Sequence, residues 1–389
     1  QKKKKIFYKN VFFFEDIQVD KSPRNFYFKG IFNLVKNKII IIPSLEKSKD
    51  KNIITLFSLL TFNEKLTCFF TSIYSLFKLN LLLRSLVNCN KINKFWIDYF
   101  YLKKNLKKLY INNLIIKFSK KNIFCKNLIM PYEEKTIERA LLQNNYTNKI
   151  NIYGVCINPQ HNLASFLKDF KKIKIPRTEN YLFCGPSYRK YFYKLNRQNV
   201  LSKTKNDCLG SFKSKRVNIK FSQSNTFLVL LSHIDEFYNL IKYQKQNKKL
   251  EKYEFLIRPY PHANDRKNIE NYIIQNKISN FKLSKNKLLH DIQKSFAVIF
   301  SATSAGIEAI NHGRIGIWSN LSETGINPLF NDVKYFYPCF NSNQLIRVMN
   351  FLKEKEYIVQ KKILKKQQSF CKNVYSKVNL RIINRYFNS

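Results

Sequence analysis

The sequence is poor in the residues that mark fibrous, turn-rich and metal-binding proteins. It has only 8 glycines and 10 prolines in 389 residues, which excludes a collagen-like chain and argues against a turn-rich all-β array. None of its eight cysteines stands in a C-x-x-C pair, and no histidine lies near a pair at a zinc-binding spacing. The scattered single thiols therefore argue against a zinc site and favour a reducing compartment.

Long apolar runs are also missing. The most apolar region, residues 53–87, contains no uncharged run of roughly 18 residues, the length that a membrane-spanning helix needs. No apolar stretch with a small-residue cleavage site follows the basic start of the chain, so we expect no signal peptide. These absences predict a cytoplasmic protein, with peripheral contact at the inner membrane face left open. The charged residues that interrupt the apolar region are Glu64, Lys65, Lys78 and Arg84.

Acidic residues are few, since 25 Asp and Glu stand against 70 Lys and Arg, giving a formal net charge of +45. Two causes fit this excess. The chain is rich in the residues of AT-rich codons, and a basic surface also attracts nucleic acid or anionic lipid. Hydrophobic residues make up 44% and aromatic residues 15%, which is enough for a packed core, and 389 residues predict two domains.

Strand and helix patterns predict an α/β protein. From Thr226 onward, short apolar strands alternate with amphipathic helices, which is typical of a parallel sheet with crossover helices. The first half predicts strands around a mainly helical stretch at 53–118, and these strands are Lys38–Pro43, Asn127–Pro131 and Ile150–Ile157. We expect a first domain at 1–205 and a second domain at 206–342. A helical segment at 343–389 would pack back on the first domain.

The strongest motif runs from Phe296 to Trp318, FAVIFSATSAGIEAINHGRIGIW. A buried strand ends there in small hydroxyl residues, and a helix begins. Such a helix start offers O–H and N–H groups to a phosphate or carboxylate. Gly306 would let a ligand approach the backbone, and Glu308 could accept from ribose hydroxyls. The structural alternative is a capped helix in which Glu308 complements the dipole.

A second strand-end motif is FLIRPYPHAND, residues 255–265. Arg258 can make bidentate contacts with phosphate or carboxylate. The two prolines fix the loop and leave Tyr260 and His262 projecting. A rigid turn with a surface arginine is the alternative.

A third pair of segments is MPYEEKTIERAL, residues 130–141, and YGVCINPQH, residues 153–161. Glu133 follows a strand, and a carboxylate there can act as general base on a sugar hydroxyl. Gln160 and His161 follow the next strand, where the histidine could bind an acceptor or donate a proton. A solvated helix start and a loop histidine are the alternative.

Together these stretches resemble bacterial surface-carbohydrate biosynthesis proteins with the GT-B glycosyltransferase fold, of the polysialyltransferase-like and capsule Kdo-transferase-like kind. Four family motifs occur in the family's order across about 200 residues. Two departures stand out, because the histidine of the family's RPHP motif is Tyr260 and the proline expected after Gly313 is missing. The matches are Pro131-Tyr132-Glu133 with Glu138, Gln160-His161, Arg258 to Pro261, and Ser301 to Ser304 with Glu308-Ala309 and Gly313.

The resemblance implies two Rossmann-like domains with a cleft between them, with the acceptor on the first domain (1–205) and the nucleotide sugar on the second (206–342). It also implies a nucleotide-sugar donor, such as CMP-linked sialic acid or Kdo, and a glycan or lipid-linked acceptor of lipopolysaccharide or capsule synthesis. No cofactor besides the donor and no metal is expected. The implied donor-side residues are Arg258, Tyr260, His262, Ser301, Thr303, Ser304, Gly306 and Glu308. The implied catalytic residues are Glu133, Glu138 and His161, and Gln160 would bind the acceptor.

Two other classes of protein stay open. A GT-B-like sugar epimerase or polyol-phosphate transferase could use a similar sheet and phosphate site. A noncatalytic basic protein could bind nucleic acid or an anionic membrane. Nucleic acid is disfavoured as a partner, because the sequence has no recognisable nucleic-acid motif and its lysines are spread along the chain.

Overall fold

The protein is described by a computed structural model, with two parallel sheets carrying the fold. The residues that the structure describes are 8–13, 31–43, 52–88, 105–119, 125–131, 141, 150–156, 180–196, 205–214, 224–260, 265–322, 328–329 and 333–389. Among them the strands are β1 (Tyr8–Phe13), β2 (Lys38–Ile42), β3 (Ile53–Thr55), β4 (Cys125–Pro131), β5 (Asn151–Cys156), β6 (Asn180–Phe183), β7 (Lys205–Cys208), β8 (Thr226–Leu230), β9 (Glu254–Arg258), β10 (Phe281–Leu283), β11 (Ala297–Phe300) and β12 (Ile315–Trp318).

The helices lie between and after these strands. They are α1 (Ile31–Leu34), α2 (Leu56–Leu59), α3 (Phe62–Asn88), α4 (Asn105–Ser119), α5 (Pro186–Asn196), α6 (Ile234–Gln246), α7 (Asp265–Gln275), α8 (Leu288–Lys294), α9 (Ala305–Asn311), α10 (Ser342–Glu354), α11 (Tyr357–Val374) and α12 (Leu380–Ile383). Short 3-10 helices span Phe212–Ser214, Lys248–Lys252 and Val333–Phe336, and a π-helix spans Asn384–Asn388. No helix in the described ranges is both long and apolar enough to cross a bilayer.

The first sheet has the order β3-β2-β1-β4-β5-β6-β7, and all its pairings are parallel. Its strands are buried on both faces, which explains why β2 is an unbroken run of isoleucines. Val11 and Phe13 share a core with α4, whereas Phe12 faces the opposite way into a second core with Phe32. This alternation follows from the two-residue period of a strand.

The second sheet has the order β10-β9-β8-β11-β12 and is also fully parallel. It confirms the strands and crossover helices predicted from Thr226 onward. These helices and strands are strongly patterned, and the core strand residues of β8 and β11 are buried. The α/β class with two Rossmann-like units is therefore confirmed.

Several strands of the first sheet were not predicted, namely β1, β3, β6 and β7. The last of these has the polar sequence KNDC, which carries no strand-like alternation. It pairs with β6, and the domain boundary expected between residues 205 and 206 falls inside it. Its pairing shows that a polar segment can join a sheet when the neighbouring strand offers its hydrogen-bonding edge.

A buried arginine precedes Ile315, the position at which the family motif has a proline. The Arg314 side chain is fully buried. Its Nε donates to the Ser295 carbonyl at 2.7 Å, and its Nη2 donates to the Gln293 carbonyl at 3.0 Å. Burial lowers the pKa of Arg314 to about 10. Arg314 thus ties the start of β12 to the end of α8.

The chain passes between the two sheets twice, and the two passages touch. The Gly210 N–H donates to the Phe183 carbonyl at 3.1 Å, and the Asn379 N–H donates to the Leu209 carbonyl at 2.8 Å. Gly210 has a φ of +84°, and a Cβ there would lie 2.2 Å from the Lys377 carbonyl oxygen. A glycine is required at this crossing both for its backbone conformation and for space.

The end of the C-terminal segment packs back on the first domain, as predicted, whereas α11 also packs on the second sheet, where the Gln367 side-chain amide donates to the Gly316 carbonyl at 2.8 Å. Ile383 and Phe387 join the core that contains Phe12. The Asn10 side-chain amide donates to the Phe387 carbonyl at 2.9 Å, and the Asn127 amide donates to the Tyr386 carbonyl at 3.1 Å. Two strand asparagines therefore hold the final turn of the chain against the first sheet.

Candidate functional site

The carboxyl ends of β8, β9 and β11 bring the donor-side motifs to one edge of the second sheet. These strands are adjacent and parallel, so the segments that follow them leave the sheet side by side. Arg258 ends β9, and Ser301 follows β11. This edge is where open parallel sheets bind ligands.

Ser304 is contacted by a lysine from the passage between the domains. Lys213 Nζ donates to Ser304 Oγ at 3.1 Å. The same ammonium lies 5.4 Å from the centre of the Tyr375 ring, and the Asn311 amide donates to the Lys213 carbonyl at 3.4 Å. The contact joins residues 91 positions apart, and it places a positive charge beside the start of α9.

The sequence left open whether Thr303 and Ser304 cap α9 or face a ligand, and the two residues differ in this respect. Thr303 Oγ1 accepts from the Ala305 N–H at 3.2 Å, which is a local capping contact. Ser304 stands at the N-cap position but makes no side-chain cap bond. Its hydroxyl faces Lys213 instead. The capping interpretation therefore describes Thr303, whereas Ser304 has a longer-range contact.

Ser301 and Gly306 have structural partners inside the second domain. Ser301 is buried, and its hydroxyl accepts from the Ser322 N–H at 3.2 Å. A Cβ at Gly306 would lie 2.3 Å from the Phe300 ring, so the glycine lets α9 pack closely on β11. Close packing therefore explains why a glycine stands at position 306. Ligand binding by Ser301 or Gly306 stays a prediction.

Glu308 lies one turn into α9, where its N–H donates to the Ser304 carbonyl at 3.4 Å. It is half-buried. Burial raises the pKa of Tyr375 well above its ordinary value, and the negative charge of Glu308 acts in the same direction. Glu308 therefore lies within electrostatic reach of the ring beneath Lys213.

Arg258 is committed in part to its own domain. Its Nη1 donates to the Asp291 carboxylate at 2.6 Å and to the Asn286 carbonyl at 2.7 Å. Asp291 is fully buried, while 23% of the arginine side chain remains exposed. The ion pair positions the guanidinium at the sheet edge and supports the structural interpretation of a rigid turn. Tyr260, two residues on, is exposed.

Glu236 belongs to this edge although the sequence analysis did not single it out. It is fully buried in the first turn of α6. Its Oε2 accepts from the Ser232 N–H at 2.7 Å and its Oε1 from the Ser232 hydroxyl at 2.5 Å. Burial raises the pKa of Glu236, and hydrogen bonds from Ser232 and the Ala302 backbone oppose that shift. The carboxylate thus joins the loops after β8 and β11.

Neither Glu236 nor Lys213 carries a strong local signal. An acid in the first turn after a serine could have marked Glu236, but dipole-complementing acids are common at that position. Lys213 is one of many lysines, so no pattern distinguishes it before its contact across the chain is known.

The acceptor-side residues fall outside the described part of the chain, as does His262. The strands that precede them, β4 and β5, are neighbours in the first sheet. Their roles stay predictions. The residues concerned are Glu133, Glu138, Gln160 and His161. Among the residues that the structure does describe, no three His, Cys, Asp or Glu side chains group as a metal site.

The fold is similar to solved structures of UDP-N-acetylglucosamine 2-epimerases. The alignment with the epimerase from Rickettsia bellii covers 98% of this chain and 97% of the other, with 11% identity and a TM-score of 0.51. The alignment with the Neisseria meningitidis UDP-GlcNAc 2-epimerase bound to UDP-GlcNAc covers 97% of each chain, with 11% identity and a TM-score of 0.50.

Some other similarities cover less of the matched proteins. The alignment with the GtfA/B complex covers 72% of this chain and 61% of the other, with 9% identity and a TM-score of 0.46. The chain thus spans about three fifths of the first glycosyltransferases it matches. No family model and no curated protein matches the sequence. The epimerase likenesses establish the fold, which is GT-B, with two Rossmann-like domains and a cleft between them.

Proposed function

We propose that the protein is a glycosyltransferase of bacterial surface polysaccharide biosynthesis. It transfers a sugar from a nucleotide-sugar donor, with CMP-linked sialic acid or Kdo as the leading candidates, to a glycan or lipid-linked acceptor. The observation that carries this proposal is the Lys213–Ser304 contact at the edge of the second sheet.

The electrostatics of this contact favour an anionic ligand. An ammonium group beside a helix start adds positive charge where the helix dipole is already positive, and a phosphate or carboxylate there would stabilise both. Arg258 lies at the same sheet edge, where Asp291 offsets part of its charge and 23% of its side chain stays exposed. A CMP-linked sugar acid carries one phosphate and one carboxylate, so it would match two cations.

The family resemblance assigns the remaining roles. Ser301, Thr303 and Ser304 hold the donor phosphate or carboxylate, and Glu308 contacts the ribose. Arg258 offsets charge on the leaving phosphate, with Tyr260 and His262 beside it. On the acceptor side, Glu133 acts as base with Glu138 and His161 assisting, and Gln160 binds the acceptor. The reaction needs no metal and no cofactor besides the donor, and the acceptor lies toward the first domain.

A nucleotide-sugar epimerase is the second candidate. The observation that favours it is the likeness to UDP-N-acetylglucosamine 2-epimerases along nearly the whole length of both chains. One of these proteins is bound to UDP-GlcNAc. A UDP-linked sugar would then replace the CMP-linked donor.

A thermal-shift series with CMP, CDP, UDP and GDP separates these candidates. A ligand that binds only the native state raises the melting temperature. We expect a shift with CMP, and a shift with UDP alone would favour the epimerase. Lys213→Met and Ser304→Ala should each weaken CMP binding about tenfold, the loss of one charge-assisted hydrogen bond.

Lys334→Met is the matched control, because Lys334 also lies over a tyrosine ring, 5.1 Å from the centre of Tyr335. It should bind CMP as the parent chain does. An unchanged dissociation constant in Lys213→Met would remove this contact from the donor site. Glu133→Gln should abolish transfer while preserving CMP binding, and full transfer by that variant would exclude Glu133 as the base.

A further inference from the structure

Helix α3 turns its bulky apolar side chains toward the outside of the protein. Eight of them are 39 to 74% exposed, and all belong to one helix of the first domain. Extended exposed apolar surfaces of this kind mark interaction sites. We call these eight side chains the α3 stripe, and they are Phe62, Leu66, Phe69, Phe70, Ile73, Tyr74, Phe77 and Leu81.

The spacing of the α3 stripe places it along a single side of the helix. At about 100° per residue, all eight side chains fall within a sector of about 140°. From Phe62 to Leu81 they extend along about 28 Å of the axis, at 1.5 Å per residue. Between Leu66 and Phe77 every residue in this sector is apolar, and Asn63 and Asn80 interrupt the band toward its two ends.

On the opposite side of α3, which packs against α4, the buried residues that the structure describes are small. Cys68 and Ser72 are buried there. The Asn113 side-chain amide donates to Ser72 Oγ at 2.8 Å, and Cys68 Sγ donates to the Asn113 carbonyl at 3.5 Å. A helix that faces water normally buries its bulky apolar side and exposes its polar side. Between Phe62 and Phe77, α3 instead buries small side chains and exposes bulky apolar ones. The Phe69 ring also lies 6.0 Å from that of Tyr110 on α4, but most of the α3 stripe stays exposed and is not explained by packing within the first domain.

We infer that the α3 stripe docks on the surface of an anionic lipid membrane, with the helix lying along the interface. An apolar face between basic residues is the pattern of interfacial helices. Lys65 and Lys78 fall on opposite margins of the stripe by the same helical geometry. The net charge of +45 adds a long-range attraction to anionic lipid.

The charge also argues against a second copy of the chain as the occupant. Two copies would bring two formal charges of +45 together, and like charges repel. Anionic lipid removes that conflict, because it accepts the apolar stripe and neutralises the lysines beside it. The inference does not depend on the donor or on the reaction. A protein docked in this way would lie on the membrane that holds a lipid-linked acceptor.

Vesicle co-sedimentation tests the inference on the full chain. We expect binding to vesicles of phosphatidylcholine with phosphatidylglycerol, and much weaker binding to phosphatidylcholine alone. The double variant Phe70→Ser, Phe77→Ser should bind the anionic vesicles at least about tenfold more weakly, because two large apolar side chains no longer enter the interface. Its CMP-induced thermal shift should match that of the parent chain.

The double variant Ile274→Ser, Ile358→Ser is the matched control. These residues are 68 and 62% exposed, close to the 59 and 62% of Phe70 and Phe77, but they lie in α7 and α11. The control should bind anionic vesicles as the parent chain does. Equal loss in both double variants would overturn the inference, since a general loss of surface apolarity would then explain it.

Membrane depth and oligomeric state give two independent readouts. Vesicles of a brominated anionic lipid should quench the fluorescence of the tryptophan introduced by Phe77→Trp. They should not quench that of the tryptophan introduced by Ile274→Trp. Absence of that quenching, or absence of parent-chain binding to anionic vesicles, would overturn the inference. Light scattering that shows a dimer dispersed by the Phe70 and Phe77 substitutions, with vesicle binding unchanged, would also overturn it and assign the stripe to a second copy.

Discussion

Glu236 shapes the donor-side edge through backbone contacts. Its carboxylate is buried and accepts from the Ser232 N–H and hydroxyl, while the Ala302 backbone supplies a further hydrogen bond. A buried carboxylate with several donors fixes the loops that supply them. The position of the strand-end serines is therefore set partly by an acid in a different helix.

The raised pKa of Glu236 predicts a pH-dependent stability. The folded state keeps a proton that the unfolded state loses above its ordinary pKa of 4.5, so this contribution is full below that pH and is lost as the pH rises through the folded value. Glu236→Gln removes the titration. We expect the variant to be less stable, by a difference that is largest below pH 4.5 and shrinks as the pH rises above it.

Urea unfolding of both chains across this pH range measures the difference. Glu251→Gln is the control, because Glu251 is exposed on the 3-10 helix after α6. Its difference from the parent chain should stay within about 0.5 kcal/mol, as for most surface substitutions. A Glu236→Gln deficit that grows with pH would contradict the raised pKa.

At the scale of elements, the final π-helix acts as part of the first domain. Phe387 is fully buried, and its ring lies 5.1 Å from that of Tyr153 on β5. Its carbonyl accepts from Asn10 on β1, and the neighbouring Tyr386 carbonyl accepts from Asn127 on β4. Chain ends are usually poorly ordered unless they are tied down in this way.

Phe387→Ala should therefore destabilise the protein far more than its place near the chain end suggests. We expect a loss of about 3 to 4 kcal/mol in the free energy of unfolding, as for other large-to-small substitutions of buried aromatics. Urea unfolding measures it. Arg385→Ala, an exposed position two residues earlier, should change stability by less than about 0.5 kcal/mol. If Phe387→Ala lowered the free energy of unfolding as little as Arg385→Ala does, packing of the chain end on the first sheet would not contribute to stability.

At the scale of the whole molecule, the excess of positive charge acts on stability. A formal net charge of +45 produces self-repulsion that opposes the compact state. The ion pairs that involve described residues include Arg258–Asp291 and the exposed pair Lys282–Glu254, and an exposed pair offsets little of that repulsion. Screening by salt should relieve it.

We therefore expect the melting temperature to rise between about 20 mM and about 500 mM sodium chloride, as the Debye length falls from roughly 20 Å to a few ångströms. Differential scanning fluorimetry measures this shift. A neutral osmolyte series, in which charge is not screened, separates the effect from general solute exclusion. A melting temperature that falls with salt would show that attractive ion pairs outweigh the repulsion.

The second half of the chain was easier to predict from its sequence than the first half. The second sheet was predicted strand by strand, because β8 and β11 are buried apolar runs between amphipathic helices. In the first sheet β7 was missed, because its polar sequence is a strand only through its pairing with β6. At the site, Arg258 and Ser304 were proposed from their places after strands, but Lys213 was not.

The sequence by itself determined the α/β class, the parallel second sheet, the strand-end positions of the donor-side motifs and the basic character of the protein. These follow from local periodicity and composition, which need no knowledge of distant contacts. Only the tertiary structure decided that Lys213 contacts Ser304, that Asn10 and Asn127 hold the last turn of the chain, and that the α3 stripe is exposed. Each of these depends on residues far apart in the sequence, and a local pattern cannot encode which of them meet.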